Sequence, residues 1–455
     1  MVRQADPETA ADRLALETGL IQAIPSDSFA PLSEEDELLA RRVHQRLIEE
    51  MDLKAVEKLG PDRSREAVEA ATRTLVNEMG PGLFGEHREL IVTRAVDDAI
   101  GLGPIQPLVD DPGISEVMVN TPDEVYFERD GIIYLSPLRF RDRDHIMLTI
   151  DRIISPLGRR IDESSPYVDA RLPDGSRVNV IIPPLVPRSP VVTIRKFRSD
   201  RYDIDGLVEN GTLSEQVKEF LRVCVQLRLN VVISGGTGSG KTTFLNALSA
   251  FIPERERILT IEDPVELSLR QRHVISCEAR PANIEGNNEV TQRDLVRNAL
   301  RMRPDRIIVG EVRGPEAFDM MQAMNTGHEG SLTTVHANSP RDALSRIENM
   351  VLMSGFELPS LAIREQMASA FHLIMQLSRF ADGSRRLTHV SEVVGMEGGT
   401  VTMQDLFTYE VSHIEPDGRL VGEMNPTGIM PTFAERFTKA GIPIESIVPS
   451  IASWA

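Results

Sequence analysis

Cysteine is nearly absent from this chain, with only Cys224 and Cys277 among 455 residues. Two thiols build neither a disulfide framework nor a tetracysteine zinc site. Cys224 falls in an apolar helical pattern and reads as a core thiol. No apolar run reaches the ~18 residues that a spanning helix requires, and the N-terminus carries no apolar signal core. A cytoplasmic location is therefore expected. Positive charge is in deficit: 50 Lys and Arg against 69 Asp and Glu leave a formal charge of −19. That balance argues against nonspecific nucleic-acid binding while leaving room for a local basic patch. Aromatics are scarce at 5%, and 26% of residues are charged, a soluble globular composition with some flexible parts. The length allows two or three domains, each with its own core.

The chain is organised around one stretch. The apolar run Val231-Val232-Ile233 enters Ser234-Gly235-Gly236-Thr237-Gly238-Ser239-Gly240-Lys241-Thr242-Thr243. Gly235, Gly240, Lys241 and Thr242 fill the G-x-x-x-x-G-K-[ST] phosphate-loop pattern, with the required strand before it and a helix, Phe244 to Leu248, after it. Glycines let backbone N–H groups turn inward as an anion nest. The helix N-terminus faces the same phosphates. Lys241 serves as a point charge for the β- and γ-phosphates, and the Thr242 hydroxyl as a magnesium ligand. ATP and Mg2+ are thus the expected ligands.

Residues 1–32 are acidic and broken by Pro7, Pro25 and Pro31; from Met1 to Ala40 there are nine acids and two bases. They read as a disordered tail, with a segment that folds on a partner as the alternative. Ser33-Glu34-Glu35-Asp36 starts a helix. Helical periodicity in three stretches predicts a bundle over 33–102. At Gly101-Leu102-Gly103-Pro104 the period becomes alternating. Residues 103–200 then read as a compact α+β domain: a strand at 116–120, a hairpin around Asp130-Gly131, a helix over 142–157, a second hairpin and a strand at 191–197.

In the second hairpin, Pro173-Asp174-Gly175 fits a three-residue loop with Gly175 left-handed. That register sets Leu172 against Ser176 and Arg171 against Arg177. Two guanidiniums directly across a ladder repel one another. Solvent can separate them, or a polyanion can lie between them; both readings stand at this point.

Residues 201–455 read as the nucleotide domain. Thr212-Leu213-Ser214-Glu215 reads as a capping box opening a helix over 213–229. Buried strands follow at 257–261, 306–309 and 331–335, closed by Glu262, Glu311 and His336. Parallel sheets bind ligands beyond the carboxyl ends of their strands, so Lys241, Glu262, Glu311 and His336 are expected to converge on one nucleotide. Arg293, Arg297 and Arg301 recur at helical spacing on a helix over 291–302 and read as a solvated or subunit-facing stripe. Past 373, strands at 373–378 and 387–394 flank Asp382-Gly383, and a last helix runs over 432–440. No chemistry is assigned there.

Four segments carry a resemblance: Gly235 to Thr243; Thr260-Ile261-Glu262-Asp263-Pro264-Val265-Glu266; Arg303 to Gly314, ending Val309-Gly310-Glu311-Val312-Arg313-Gly314; and Thr326-Gly327-His328-Glu329-Gly330 through Val335-His336-Ala337-Asn338. They resemble the Walker A, Asp, atypical Walker B and His boxes of the secretion ATPase superfamily. The wording is closest to the tight-adherence (Tad/Flp) pilus motors of CpaF type, over roughly 105–440. The resemblance implies an α/β, RecA-like P-loop ATPase domain preceded by a small α+β (PAS-like) domain and the helical bundle. It implies a homo-hexamer that hydrolyses ATP to move one domain against another. That motion would drive inner-membrane pilus platform proteins, with membrane association through partners and no direct nucleic acid. By motif position Glu311 would activate or orient water, Glu262 assist at magnesium, and His336 sense the γ-phosphate. His328 is a lesser candidate for support, and Arg171 and Arg177 would act as fingers. Other pilus-extension ATPases carry a tetracysteine zinc module for which this chain has no cysteines. Gly310-Glu311 in place of Asp-Glu leaves magnesium mainly to Thr242 and water. A type IV secretion ring moving protein or DNA, and a nucleotide-gated scaffold with negligible turnover, are the rival readings.

Overall fold

The computed structural model describes residues 29, 32–51, 56, 60–80, 82–129, 132–197, 202–280, 282, 287–355, 357–416 and 418–449. The acidic tail, apart from Phe29 and Leu32, and the Asp130-Gly131 turn lie outside them. The chain divides into two compact units, Met1–Ser199 and Asp200–Ala455.

In the first unit, α1 (Glu34–Glu50), α2 (Pro61–Met79) and α3 (Glu86–Ile100) pack around Val43, Leu47, Val68, Leu75, Ile91 and Val96. Ser33 caps α1 by accepting from the Asp36 N–H at 3.1 Å. A short helix, α4 (Gln106–Asp110), leads into an antiparallel sheet. Its strands are β1 (Ile114–Val119), β2 (Val125–Arg129), β3 (Ile132–Leu135), β4 (Tyr167–Arg171), β5 (Arg177–Ile181) and β6 (Val191–Arg195). They lie in the order β3-β2-β1-β6-β5-β4. Strand alternation places Val117, Val119, Val178, Val180, Val192 and Ile194 on the inner face. There they meet Ile146 and Ile150 of α5 (Arg143–Ile154). The β4–β5 hairpin closes as its sequence dictates. Gly175 has φ +88°, Leu172 N–H donates to the Ser176 carbonyl at 2.9 Å, and Arg171 pairs with Arg177.

The second unit opens with α6 (Ile204–Glu209) and α7 (Glu215–Gln226). Ser214, not Thr212, caps α7 by accepting from Val217 N–H, and Arg228 at φ 60° ends the turn beyond it, so the helix is shorter than its periodicity. Next come β7 (Val231–Gly235), α8 (Lys241–Ser249), β8 (Ile258–Glu262), β9 (Val274–Glu278) and α9 (Gln292–Ala299). Then follow β10 (Arg306–Val309), α10 (Glu316–Asn325), β11 (Leu332–His336), α11 (Pro340–Met353) and α12 (Ser360–Ala370). The chain closes with β12 (Leu373–Arg379), β13 (Arg385–Glu397), β14 (Thr400–Ile414), β15 (Leu420–Pro426) and α13 (Ala434–Lys439).

These strands form one nine-stranded sheet in the order β15-β14-β13-β12-β7-β11-β10-β8-β9. The six strands from β12 to β9 are parallel, and β7, β8 and β10 are buried on both faces. Their continuous β-branched runs are what such burial requires. β13, β14 and β15 extend the sheet antiparallel from β12. The sequence reading finds only the first of those three, although Val401, Met403, Phe407, Tyr409 and Val411 alternate along β14.

At the edge where the parallel strands begin, one side chain ties three of them together. Asn230 Oδ1 accepts from Gly330 N–H at 2.7 Å and Ser331 N–H at 3.1 Å, and its Nδ2 donates to the Ala370 carbonyl at 2.7 Å. The Asn230 N–H in turn donates to His372 Nδ1 at 3.0 Å.

Candidate active site

The opposite edge of the sheet gathers the motif residues. β7 and β11 run in register to the pair Gly235–His336, and β8 and β10 to Ile261–Val309. The phosphate loop, Glu262, Glu311 and His336 therefore leave the sheet at one rim. Glycine is required in the loop for two reasons. Gly238 and Gly240 have φ +69° and +90°. A Cβ on Gly235 would stand 2.4 Å from Ser239 Oγ and 2.7 Å from the Leu377 carbonyl. Helix α8 starts at Lys241, three residues earlier than its apolar run indicates. Its N-cap, Gly240, provides no side-chain cap, so first-turn N–H groups face outward for an anion. Thr242 and Thr243 sit in that turn. Lys241 Nζ donates to the carbonyls of Gly235 at 3.0 Å and Gly236 at 2.9 Å. Burial lowers its pKa, and the nearby Glu311 opposes that.

Glu262 is 2% exposed, and its Oε2 accepts from the N–H groups of Glu266 at 2.7 Å and Leu267 at 2.9 Å. A Cβ on Gly310 would meet Glu262 Cγ at 2.8 Å. The Gly-Glu ending of β10 thus has a steric cause: the Glu262 side chain occupies the space an aspartate would need. Glu311 is held by Arg313, whose Nη2 and Nε donate to its Oε2 at 2.6 and 3.0 Å. The segment is pinned beneath by Thr334, whose hydroxyl donates to the Gly310 carbonyl at 2.7 Å. The Gln292 amide, oriented to satisfy both partners, spans the Glu311 carbonyl at 3.1 Å and the Asp263 N–H at 3.2 Å. His336 has its pKa lowered by burial first and by Lys241 next.

The rim therefore gathers the phosphate loop, two carboxylates, an imidazole and Arg313. Among the described residues no group of three or more His, Cys, Asp or Glu forms a closed metal cage. The oxygens of Thr242, Glu262 and Glu311 are the hard donors that suit a magnesium ion keeping water and phosphate ligands.

Two expectations are adjusted. His328 precedes β11 while His336 ends it, so the length of the strand separates His328 from the rim. Of the stripe, Arg297 stays exposed while Arg293 is half-buried, and both Nε atoms donate to Asp319 of α10, each at 2.8 Å. The third, Arg301, is exposed. Arg313 and Gln292 were missed. Arg313 lay within the Walker B wording without a role, and no motif marks Gln292. Arg171 and Arg177 lie in the first unit, paired on β4 and β5.

Known proteins resemble this chain over much of its length. The family described as Type II/IV secretion system protein matches residues 98–420. A relative from Mycobacterium tuberculosis, named for conjugal transfer, is 36% identical over 323 residues, covering 70% of this chain and 91% of its own length. The type IV secretion system protein VirB11 of Brucella suis is 35% identical over 333 residues, covering 67% and 92%. Among solved structures, the VirB11 ATPase of Brucella suis in complex with sulphate has a TM-score of 0.34 at 32% identity, covering 63% of this chain and 94% of its own. The pilus retraction motor PilT with bound ADP has a TM-score of 0.46 at 20% identity, covering 76% and 86%.

Proposed function

The chain belongs to the type II/IV secretion system protein family, and from that premise we propose a hexameric motor ATPase for assembly or retraction of a tight-adherence type pilus. It hydrolyses ATP at the β7–β11 rim and works at the inner face of the cytoplasmic membrane through platform proteins. The observation that carries the reading is the rim itself: a phosphate loop with Glu262, Glu311 and His336 leaving one edge of one parallel sheet. Among the described residues no helix is long and apolar enough to cross a membrane, so partners supply the attachment in this reading. The small α+β fold is taken as PAS-like.

Phosphoryl transfer leaves little covalent chemistry to the protein, so positioning and charge stabilisation dominate. Gly235, Gly236, Thr237, Gly238, Ser239 and Gly240 cradle the phosphates with backbone N–H groups. Lys241 shifts from its two loop carbonyls to the β- and γ-phosphate oxygens. Thr242 and Glu262 would hold magnesium, which would supply positive charge against the charge developing on the transferring phosphoryl group. Glu311, once Arg313 yields, orients and deprotonates the attacking water. His336, whose pKa is lowered by burial and by Lys241, donates a ring N–H to a γ-phosphate oxygen. Arg171 and Arg177 act as fingers on the transferring group, so that their arrival and hydrolysis become one event. Phosphate release from the purified hexamer tests turnover: negligible release would leave only a nucleotide-gated scaffold.

The relatives named VirB11 and for conjugal transfer favour a second reading, the same ATPase in a type IV secretion ring. The net charge of −19 argues against its tracking DNA directly. Capture of a pilus platform protein against a coupling protein by the tagged chain separates the two. Pilus length and retraction in cells lacking the chain then decide between extension and retraction.

A further inference from the structure

The β12–β13 hairpin, which carried no chemistry in the sequence reading, overhangs the phosphate loop. Arg379 ends β12, Arg385 begins β13, and the two pair directly across the ladder. Arg385 Nε donates to the Gly238 carbonyl at 2.9 Å. Its aliphatic stem covers the next loop glycine: a Cβ on Gly240 would stand 3.4 Å from Arg385 Cδ. A Cβ on Gly238 would stand 3.6 Å from Arg379 Nη1. Both guanidiniums thus sit at Gly238, and the Arg385 stem lies over Gly240.

The hairpin is fixed there from other sides. Arg386 Nη1 donates to the Asn210 carbonyl at 2.6 Å. At the hairpin tip, Asp382 accepts from Leu420 N–H and Ser384 N–H, each at 2.9 Å. Like charges directly opposite one another destabilise a ladder unless an anion offsets them. Here both rest on the one loop whose amides are arranged to receive a polyphosphate.

We propose that Arg379 and Arg385 are a second arginine pair for the nucleotide, supplied by the ATPase unit itself. Arg385 is a positioning residue. It holds the Gly238 carbonyl outward, which leaves the loop N–H groups turned toward the phosphates. Arg379 adds positive charge beside the bound polyphosphate. The pair acts on nucleotide affinity, whereas Arg171 and Arg177 act on turnover. This inference rests on the loop binding ATP as proposed above.

The test is titration of the full-length chain with fluorescent ATP and ADP analogues at low and moderate salt. Alongside it, the unfolding midpoint is measured without nucleotide. Arg379→Gln is expected to weaken both nucleotides about tenfold at low salt, with the gap narrowing as salt rises. Arg385→Ala weakens them at every salt, and Arg385→Lys recovers part, since lysine keeps a donor and a charge without the planar fork. Lys241→Ala is the control. If it loses binding while both arginine variants titrate like wild type, the pair is overturned and the ATP site stands. If Lys241→Ala itself binds like wild type, the reading of the loop falls and the pair with it. A salt-independent loss in Arg379→Gln with a lowered nucleotide-free midpoint shows a structural prop and also overturns the proposal.

Discussion

Arg171 and Arg177 stand directly opposite one another across the β4–β5 ladder, two positive charges on adjacent strands of one tight hairpin. The Asp174-Gly175 turn enforces that register, so neither can move to the other face without rebuilding the loop. If the pair serves a transferring phosphoryl group, Arg171→Ala and Arg177→Ala keep ATP affinity and lose ~10³-fold or more in turnover. Stopped-flow binding with single-turnover hydrolysis checks this. Weakened affinity with normal turnover per bound nucleotide would remove both from the role.

Glu311→Gln is expected to bind ATP and stall. The amide keeps the size and loses the base. The glutamine oxygen can still accept from Arg313, so the nucleotide-free site rearranges little but cannot activate water. Retained nucleotide after gel filtration, with phosphate release down ~10²-fold or more, is the expected pair of results. Hydrolysis at the wild-type rate would reassign the base.

The buried pair Arg306–Glu256 makes a stability prediction. Arg306 is 0% exposed, and its Nε lies 2.5 Å from Glu256 Oε2. Its other nitrogens donate to the carbonyls of Gly330 at 3.1 Å and Val225 at 2.8 Å. Glu256→Gln strands a buried cation, and the loss should be about 3–5 kcal/mol by urea denaturation. Arg306→Met with Glu256→Leu should recover most of it. A cost under ~1 kcal/mol for Glu256→Gln would show that water reaches the guanidinium.

His372 makes a pH prediction. Burial first, and the charge of Arg436 next, lower its pKa to about 4. The folded value lies below the unfolded one near 6.5. The native state therefore binds fewer protons between them, and stability rises with pH through that window. As pH falls from about 6.5 toward 4 the ATPase unit should lose roughly 3 kcal/mol from this group. His372→Gln should flatten that part of the curve. An unchanged slope in the variant would place the acid sensitivity elsewhere.

Much of the rim was legible because each piece is local. The glycines, Lys241 and Thr242 lie within nine residues, and each of the other groups closes a β-branched run. The β4–β5 register was legible because two turn residues fix it. What was hidden depends on tertiary neighbours. Asp319 gathers Arg293 and Arg297 from another helix, and no spacing rule reveals that. Gly310 is glycine because of Glu262, a residue 48 positions earlier whose side chain fills the adjacent space. The arginines at the ends of β12 and β13 meet the phosphate loop only because β12 lies beside β7. Strand order is not written in either segment.

Asn230 has a mechanical consequence. It fastens the starting ends of β7, β11 and β12 into a single knot, with His372 as a further stitch. Three strands pinned at one end cannot slip lengthwise past each other. Work done by a nucleotide must then appear as bending or reordering of the loops at the free end, like the spread of a fan whose ribs share one rivet.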